Sequence, residues 1–322
     1  MKKLLSTVCT AAFLTLIAGQ AMAQTYPTRP VKIVVPFGPG GFTDVVARIL
    51  GVKLGESLGQ SVVIENRPGA GSMIGSDMVA KAPPDGHTLL IVSSTHVISP
   101  WIYKSVPYDP IKSFTPVSKL VDSPYVLLTN PKVPAKNVQE FIALAKAQPD
   151  KIHYASSGNG SAQHLIGGLF ASMTKTQLKH VPYRSSNLAA TDLVAGVVES
   201  SFAGVPNALA QVPNGRLNAL AVTSAKRIPQ LPNVPTMQEA GVPGYEATIW
   251  LSLLAPAGTP SSIVNRLNSD IAKIMNTPET QKAMFDAGVE VSLSTPEAMS
   301  QLMVSELDKW GKVVKEAGIK LE

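Results

Sequence analysis

The chain has 322 residues, of which 45% are hydrophobic and only 16% are charged, a composition typical of a globular protein and not of a disordered one. Its formal net charge of +6 falls to +4 when Lys2 and Lys3 are removed, because 26 basic and 22 acidic residues then remain. The basic residues are scattered singly and do not alternate with aromatic residues, so we expect no nucleic-acid partner.

Residues 1–23 have the pattern of a secretory signal peptide. Two lysines precede an apolar run over residues 11–18, and the small residues of Ala21–Ala23 provide a cleavage site. No later run reaches the roughly 18 apolar residues that a membrane-spanning helix needs. The only cysteine, Cys9, lies inside the signal peptide, and Val8 before it is not the small residue of a lipid-attachment site. We therefore expect a soluble periplasmic protein without thiols or a lipid anchor.

Strand-like and helix-like patterns alternate through most of the remaining chain. The strand-like runs are 31–35, 61–66, 87–94, 151–157, 178–183, 196–202 and 217–224. This alternation predicts an α/β fold with a mostly parallel sheet covered by helices. The last third differs, because its pattern predicts helices near 260–276, 278–287 and 295–317 around a short strand "VEVSLS". We expect this tail to pack back on the first part of the chain.

Ligands of open α/β sheets bind beyond the carboxyl ends of the strands, and four loops of this chain qualify: 37–44, 93–96, 156–161 and 183–187. The first loop, in "VVPFGPGGFTD", contains three glycines that let a ligand approach the backbone before a helix begins. It lacks the Lys-Ser/Thr pair of a P-loop, and Thr43 replaces the third glycine of a dinucleotide-binding motif. The loop thus predicts a small anion, unless its glycines serve only a tight turn.

The third loop, "YASSGNGSAQHL", places Ser156, Ser157 and Ser161 with two glycines between a strand and a helix. Hydroxyl and amide groups in such a loop suit a carboxylate without needing a cation. Ser161 is also a good helix cap, and capping is compatible with ligand binding.

The fourth loop contributes Tyr183 and Arg184, followed by Asp192 on the next helix. Arg184 either pairs with a second carboxylate in bidentate fashion or is a solvated surface charge. Asp192 suits the organisation of loop amides or water better than contact with an anion. A second anchor at Arg184 would favour an aliphatic or aromatic dicarboxylate, while a monocarboxylate or an amide stays open.

Enzymatic interpretations find less support in the same residues. There is no Gly-x-Ser-x-Gly motif, and the five histidines show no His-x-x-x-His spacing, so we expect neither a metal ion nor another cofactor. The alternative enzyme is an exported serine hydrolase that uses Ser157 or Ser161 with His164. A second alternative is a ligand sensor that signals to a membrane protein.

Several ordered motifs together resemble one family. They are "YPTRPVKIVVPFGPGGFTDVVAR" (26–48), "VVIENRPGAGSMIGSDMVAKAPPDGHTLL" (62–90), "YASSGNGSAQHL", "VPYRSSNLAATDLVAGVVESSF", the segment 215–246 and "WLSLLAPAGTP" (250–260). Over essentially the whole mature chain, the sequence resembles the extracytoplasmic substrate-binding receptors of tripartite tricarboxylate transporters, often called the Bug family. At Ser185 and Ser252 this family usually has glycine, and at Glu199 it often has aspartate.

The resemblance implies a two-lobed periplasmic binding protein fold of type II, with mixed sheets covered by helices. Residues 24–122 and 250–322 would form lobe one, and residues 123–249 would form lobe two. Such a receptor closes over its ligand and delivers it to a two-component membrane permease of the tripartite tricarboxylate type. We expect it to act as a monomer without catalytic residues.

The resemblance also implies a carboxylate held between the first glycine loop and the serine loop, through backbone amides, hydroxyls and water. On the side of the first glycine loop, the implied residues are Phe37, Gly40, Gly41, Thr43 and Asp44. On the side of the serine loop, they are Ser156, Ser157, Ser161, His164, Tyr183 and Asp192. Ser94, from the second loop, and Arg184 complete the predicted ligand-binding set.

Overall fold

The computed structural model describes residues 26–316. The predicted signal peptide, Cys9 and the two ends of predicted lobe one, at 24–25 and 317–322, lie outside the described residues. Within the described range, no helix combines the length and the apolar character that crossing a membrane requires.

The described residues form an alternating series of strands and helices, as the sequence pattern predicts. The strands are β1 (Val31–Val35), β2 (Val62–Asn66), β3 (Thr88–Ser93), β4 (Phe114–Thr129), β5 (Ile152–Ser156), β6 (Leu178–Pro182), β7 (Ser200–Gly204), β8 (Asn218–Val222), β9 (Thr248–Pro256) and β10 (Glu290–Val291). The helices are α1 (Phe42–Leu58), α2 (Met73–Ala80), α3 (Thr95–Ile102), α4 (Val138–Ala147), α5 (Ala162–Thr174), α6 (Ser186–Ala195), α7 (Val205–Gln211), α8 (Ser261–Met275), α9 (Pro278–Asp286) and α10 (Pro296–Glu316).

The first helix shows why these residues fold locally as they do. In α1, Val46, Leu50 and Leu54 recur every fourth residue and are fully buried, so one stripe of the helix packs on the sheet. The helix ends at Gly59, whose φ of 66° is the left-handed conformation that glycine adopts without a steric penalty. An apolar period of this kind is a local property, which is why the sequence predicts the helix well.

The strands follow the order β2-β1-β3-β9-β4-β7-β5-β6, with β8 and β10 also paired to β4. The outer groups, β2-β1-β3 and β7-β5-β6, are parallel. The central strands β4 and β9 are antiparallel to each other and to their neighbours. The sheet is therefore mixed, as the predicted fold class has it, and less parallel than the alternation alone suggests. The alternation of strands and helices does not predict a long strand such as β4, which connects the β2-β1-β3 group, through β9, to the β7-β5-β6 group.

Three apolar cores cover the faces of this sheet. One lies between β1, β3 and β9 and the helices α1 and α8. A second contains residues of α5 together with Met299, Met303 and Trp310 of α10. A third joins β4 to α6 and α7. Because α10 packs against α3, β4 and α5, the tail returns to the first part of the chain and also touches the middle part.

Candidate functional site

A cleft of about 520 Å³ lies where the loops after β1, β2, β3, β5 and β6 meet. This volume is within the range of typical small-molecule sites. The lining residues are Pro36, Phe37, Gly38, Gly41, Phe42, Thr43, Pro68, Gly69, Gly71, Ser72, Ser93, Thr95, Ser99, Ile102, Tyr103, Tyr125, Ser157, Asn159, Gly160, Ser161, Ala162, Ser185, Ser186 and Ile249. Tyr125 and Ile249 come from the central strands β4 and β9, so those strands contribute to the cleft wall.

The lining of this cleft is polar but carries no formal charge. Serine, threonine and tyrosine hydroxyls come from every loop around it, whereas no Lys, Arg, Asp, Glu or His belongs to its described lining. The described lining therefore offers dipoles and hydrogen-bonding groups, and no cation.

Five helices begin at the cleft, and they divide into two kinds. At the N-termini of α1, α2 and α3, no capping side chain accepts a hydrogen bond from the helix N–H groups. In contrast, the Ser161 hydroxyl of α5 accepts from the His164 N–H, and the Ser185 hydroxyl of α6 accepts from the Leu188 N–H, each at 3.3 Å. The first N–H groups of a helix lack intrahelical partners and attract anions. The side of the cleft formed by α1, α2 and α3 thus offers donors that no side-chain cap occupies.

Asp44, in the first turn of α1, is turned away from this cleft. Its carboxylate accepts hydrogen bonds from the Gly40 N–H at 2.8 Å and from Arg48 and Asn66 at 2.9 Å each. Burial by itself raises the pKa of Asp44, but these hydrogen bonds outweigh it and hold the pKa below its usual value. Asp44 is therefore an ionised group that fixes the glycine loop.

The serine loop 156–161 is held by its own hydrogen bonds. The Ser156 hydroxyl is fully buried and contacts both the N–H and the carbonyl of Gly158, at 3.1 and 3.0 Å. The Ser157 N–H donates to the Gln163 side chain at 2.8 Å. Consequently Ser156 shapes the loop, whereas Ser157 and Ser161 line the cleft.

Tyr183 and Arg184 of the fourth loop, and Asp192 of α6, lie outside the lining. The Tyr183 hydroxyl donates to Asp192 at 2.8 Å. Burial and then the Asp192 carboxylate raise the pKa of Tyr183 to about 12. Arg184 is exposed and does not line the cleft, whereas the next residue, Ser185, does.

The structure thus sorts the predicted ligand-binding set into two groups. Those that line the cleft are Phe37, Gly41, Thr43, Ser157 and Ser161. Those that lie behind or beside it are Gly40, Asp44, Ser94, Ser156, His164, Tyr183, Arg184 and Asp192. The ligand-binding role of each of these residues stays a prediction.

The loop after β2 is the main part of the cleft that we did not predict from sequence. Pro68, Gly69, Gly71 and Ser72 line it, and they belong to "RPGAGS". Because β2 is parallel to β1, this loop leaves the sheet at the same edge as the first glycine loop. A glycine-rich turn between a strand and a helix was the signal that could have identified it.

Two buried polar atoms lie next to the cleft. Neither the Ser94 hydroxyl nor the Trp250 indole N–H has a hydrogen-bond partner among the described residues. Both side chains are almost fully buried, and the Ser94 N–H donates to the Trp250 carbonyl at 3.1 Å. Trp250 is therefore part of the core.

Nothing in the described part of the chain is arranged as a metal site. No group of three or more His, Cys, Asp or Glu side chains converges within residues 26–316. His96, near the cleft, is fully buried, and this burial lowers its pKa to about 4 although its Nε2 lies 3.0 Å from the Pro110 carbonyl. His96 is a neutral core residue.

The chain is similar to a known family, to bacterial relatives and to solved structures. The family model described as "Tripartite tricarboxylate transporter family receptor" matches residues 46–319. Protein BugT of Bordetella pertussis is 39% identical over 308 residues, which cover 95% of this chain and 94% of BugT. The Rhodopseudomonas palustris protein Rpa4515, whose structure was solved with adipate, is 37% identical in sequence with a TM-score of 0.84. The match covers 92% of this chain and 100% of the Rpa4515 chain. MatC of the same organism, with bound malate, is 33% identical with a TM-score of 0.79, covering 90% of this chain and 100% of its own.

Proposed function

Because the chain belongs to the family of tripartite tricarboxylate transporter receptors, we propose that it captures an organic carboxylate between its two lobes in the periplasm and delivers it to a two-component membrane permease. Receptors of this family bind solutes and do not transform them, and the proposal assigns no catalytic residue to this chain. The predicted signal peptide supports export to the periplasm.

The uncharged cleft with three uncapped helix N-termini is the observation that carries this proposal. Partial positive charge at helix N-termini, together with many hydroxyl donors, stabilises an anion. A carboxylate is small enough to accept from several such donors at once. A phosphate-binding loop would add a lysine, which is absent from the described lining.

The central strands support closure of two lobes about the cleft. We propose that lobe one contains residues 24–122 and 250–322 and that lobe two contains residues 123–249. In β4, pairing with β9 extends to Pro124, and pairing with β7 begins at Tyr125. A bend at this point of β4 would move the lobes as rigid bodies. A ligand drives closure when it binds the closed state better than the open state.

Two similar structures contain dicarboxylates, adipate in one and malate in the other, and we propose a dicarboxylate for this chain as the first choice. Arg184 is exposed and lies outside the lining, so its role as a second anchor requires closure to bring it inward. The α2 N-terminus beside Gly71 and Ser72 is a second candidate anchor that needs no such movement.

The proposal is tested by thermal unfolding of residues 24–322 with mono-, di- and tricarboxylates, including adipate and malate, and with neutral amides as controls. A ligand present at 100 times its dissociation constant adds about 2.7 kcal/mol to the unfolding free energy. We expect at least one carboxylate to raise the midpoint. A response restricted to neutral compounds would overturn the anion argument.

Ser157 gives the sharpest single-residue test of the site. Replacing Ser157, which lines the cleft, by alanine removes a hydroxyl that we expect to bind the carboxylate. Affinity should fall about tenfold, as the loss of one hydrogen bond of roughly 1.4 kcal/mol implies. Ser305→Ala, on the exposed side of α10, is the matched control and should bind like the unmodified protein. Calorimetric titration measures both, and equal affinities would refute this assignment.

A further inference from the structure

Two histidines lie face to face against the serine loop. His164 is in the first turn of α5 and His180 is in the middle of β6, and their ring centroids are 3.7 Å apart with planes inclined by 4°. The pairing of β5 with β6 sets Tyr154 opposite His180. The Tyr154 ring borders both imidazoles, with centroid distances of 5.1 Å to His180 and 6.4 Å to His164.

Each imidazole contacts one end of the serine loop. His180 Nε2 lies 2.6 Å from the Ser156 hydroxyl, at the start of the loop. Near its end, the Gly160 N–H donates to His164 Nδ1 at 3.1 Å. The residues between these contacts include Ser157, which lines the cleft. The stacked pair therefore supports the segment of lobe two that would meet a ligand.

The Gly160 contact determines which ring nitrogen of a neutral His164 carries the hydrogen. A backbone N–H only donates, so His164 Nδ1 must hold a lone pair, and the ring hydrogen of a neutral His164 is on Nε2. Protonation of Nδ1 would turn this acceptor into a donor and break the contact. Burial and then the neighbouring His164 lower the pKa of His180 to about 3, so that ring is neutral in ordinary conditions.

Strands β5 and β6 bring one other titratable group to the histidine pair. Tyr154 faces both rings, and burial raises its pKa well above the usual value, so it is neutral. His153 adjoins Tyr154 on β5, and Lys179 adjoins His180 on β6. Both point to the opposite face of the sheet, because side chains alternate along a strand. On that face His153 pairs with Glu199 at 2.8 Å.

The helices packed around the pair add no unpaired charge to it. Within α5 itself, Ala162–Thr174 contains no acidic or basic side chain besides His164. On α10, which packs against α5, Glu306 accepts from Lys309 at 3.2 Å and from Trp310 at 2.7 Å. Among the described residues, His164 is the only charged or titratable group that contributes to the lowered pKa of His180.

We propose that His180 is a positioning residue for ligand capture: stacked on His164 and in contact with the Ser156 hydroxyl, it holds the serine loop in one geometry. The inference rests on the proposed function, because it needs the serine loop to contact a ligand. It concerns a residue that does not line the cleft and acts through Ser156 and His164.

His180→Asn tests this role, because it removes the stacked ring and leaves a short polar side chain next to Ser156. With adipate as the probe, affinity should fall about tenfold in this variant, the equivalent of one lost hydrogen bond. Unchanged affinity would overturn the inference.

Two further variants separate positioning from general damage to the fold. His153→Asn, on the opposite face of β5, should bind adipate like the unmodified protein. His180→Phe retains a stacked ring but loses the contact with Ser156, so its affinity should also fall. Full affinity in His180→Phe, or an equal loss in His153→Asn, would contradict the proposed support of the loop.

Imidazole nitrogen NMR provides a measurement that needs no ligand. In the unmodified protein, a neutral His164 should carry its hydrogen on Nε2. A hydrogen on Nδ1 of His164 would refute the proposed support. If the ring behaves as expected and no carboxylate binds, the proposed function fails and the support of the loop stands.

Discussion

At the scale of single residues, the polar side chains near the cleft divide between those that face it and those that hold its loops. Ser157 and Ser161 face the cleft, whereas Asp44, Ser156 and the histidine pair hold the loops from behind. The second group is buried or paired with a protein partner, so it can keep backbone amides in place before a ligand arrives. Binding energy then need not be spent on ordering the loops.

Asp44→Asn should destabilise the protein, because the amide keeps only one acceptor oxygen and turns a donor either toward Asn66 or toward Gly40 and Arg48, which are all donors. We expect a loss of about 2 kcal/mol, less than for a fully buried pair because Arg48 is half exposed. The lowered pKa of Asp44 means that its carboxylate stabilises the fold above its ordinary pKa and that this contribution is lost as the pH falls through the folded-state pKa. As the pH falls below about 4, the unfolding free energy of the variant should therefore decrease less than that of the unmodified protein.

Urea unfolding at several pH values measures this effect. Asp286→Asn is the matched control, because Asp286 forms an exposed ion pair with Lys282 one helical turn away. Such surface pairs contribute about 0–1 kcal/mol. Equal losses for the two variants would show that Asp44 does not support the glycine loop.

At the scale of elements, the cleft is a meeting point of strand ends and helix starts. Parallel strands β1, β2 and β3 direct three consecutive loops to one edge, and β5 and β6 direct two loops to the facing edge. The turn after β2 is tightly packed at Gly71, whose φ is 60°. A Cβ atom added at Gly71 would overlap the Tyr103 hydroxyl oxygen.

Gly71→Ala should therefore cost more than the backbone strain of an alanine at positive φ. Gly215 has a similar φ of 66°, and a Cβ atom added there would meet no atom within 4 Å, so Gly215→Ala measures the strain alone. We expect about 1 kcal/mol for Gly215→Ala and about 1–3 kcal/mol more for Gly71→Ala. Chemical unfolding compares the two. Equal costs would mean that Tyr103 moves aside freely.

At the scale of the whole molecule, the proposed lobes touch across the cleft. A Cβ atom at Gly160, in the serine loop, would lie 3.7 Å from the Cβ of Ile102, at the end of α3. This separation is close to the average of about 3.8 Å between the Cβ atoms of a disulfide. The chain from Gln24 onward contains no cysteine, so an introduced pair has no competing thiol.

The double variant Ile102→Cys, Gly160→Cys should form a disulfide that fixes the two lobes in the observed arrangement. If ligand exchange requires the lobes to separate, the oxidised protein should exchange a bound carboxylate far more slowly than the same protein after reduction. Stopped-flow fluorescence measures both rates, and Ile102→Cys alone is the control for the loss of the isoleucine. Equal rates before and after reduction would contradict closure as the capture step.

Much of this protein could be predicted from its sequence, because the relevant signals are local. Apolar periods located α1 and most strands, and the turns of "VVPFGPGGFTD" and "YASSGNGSAQHL" identified two walls of the cleft. The ordered motifs identified the family and its fold, which the comparisons confirm. The residues that form a loop are set by neighbours a few positions away, so a single sequence reveals them.

Only the tertiary structure decided which side chains of those loops face the cleft. Arg184 and His164 come from the predicted loops yet lie outside the lining, whereas Gly71 and Tyr103 lie in it without having been predicted. Orientation depends on register and packing between strands far apart in the chain, such as the pairing that sets His180 against Ser156 and His164. The sequence by itself therefore determined the elements, the loops and the family, and long-range packing determined which atoms the cleft presents.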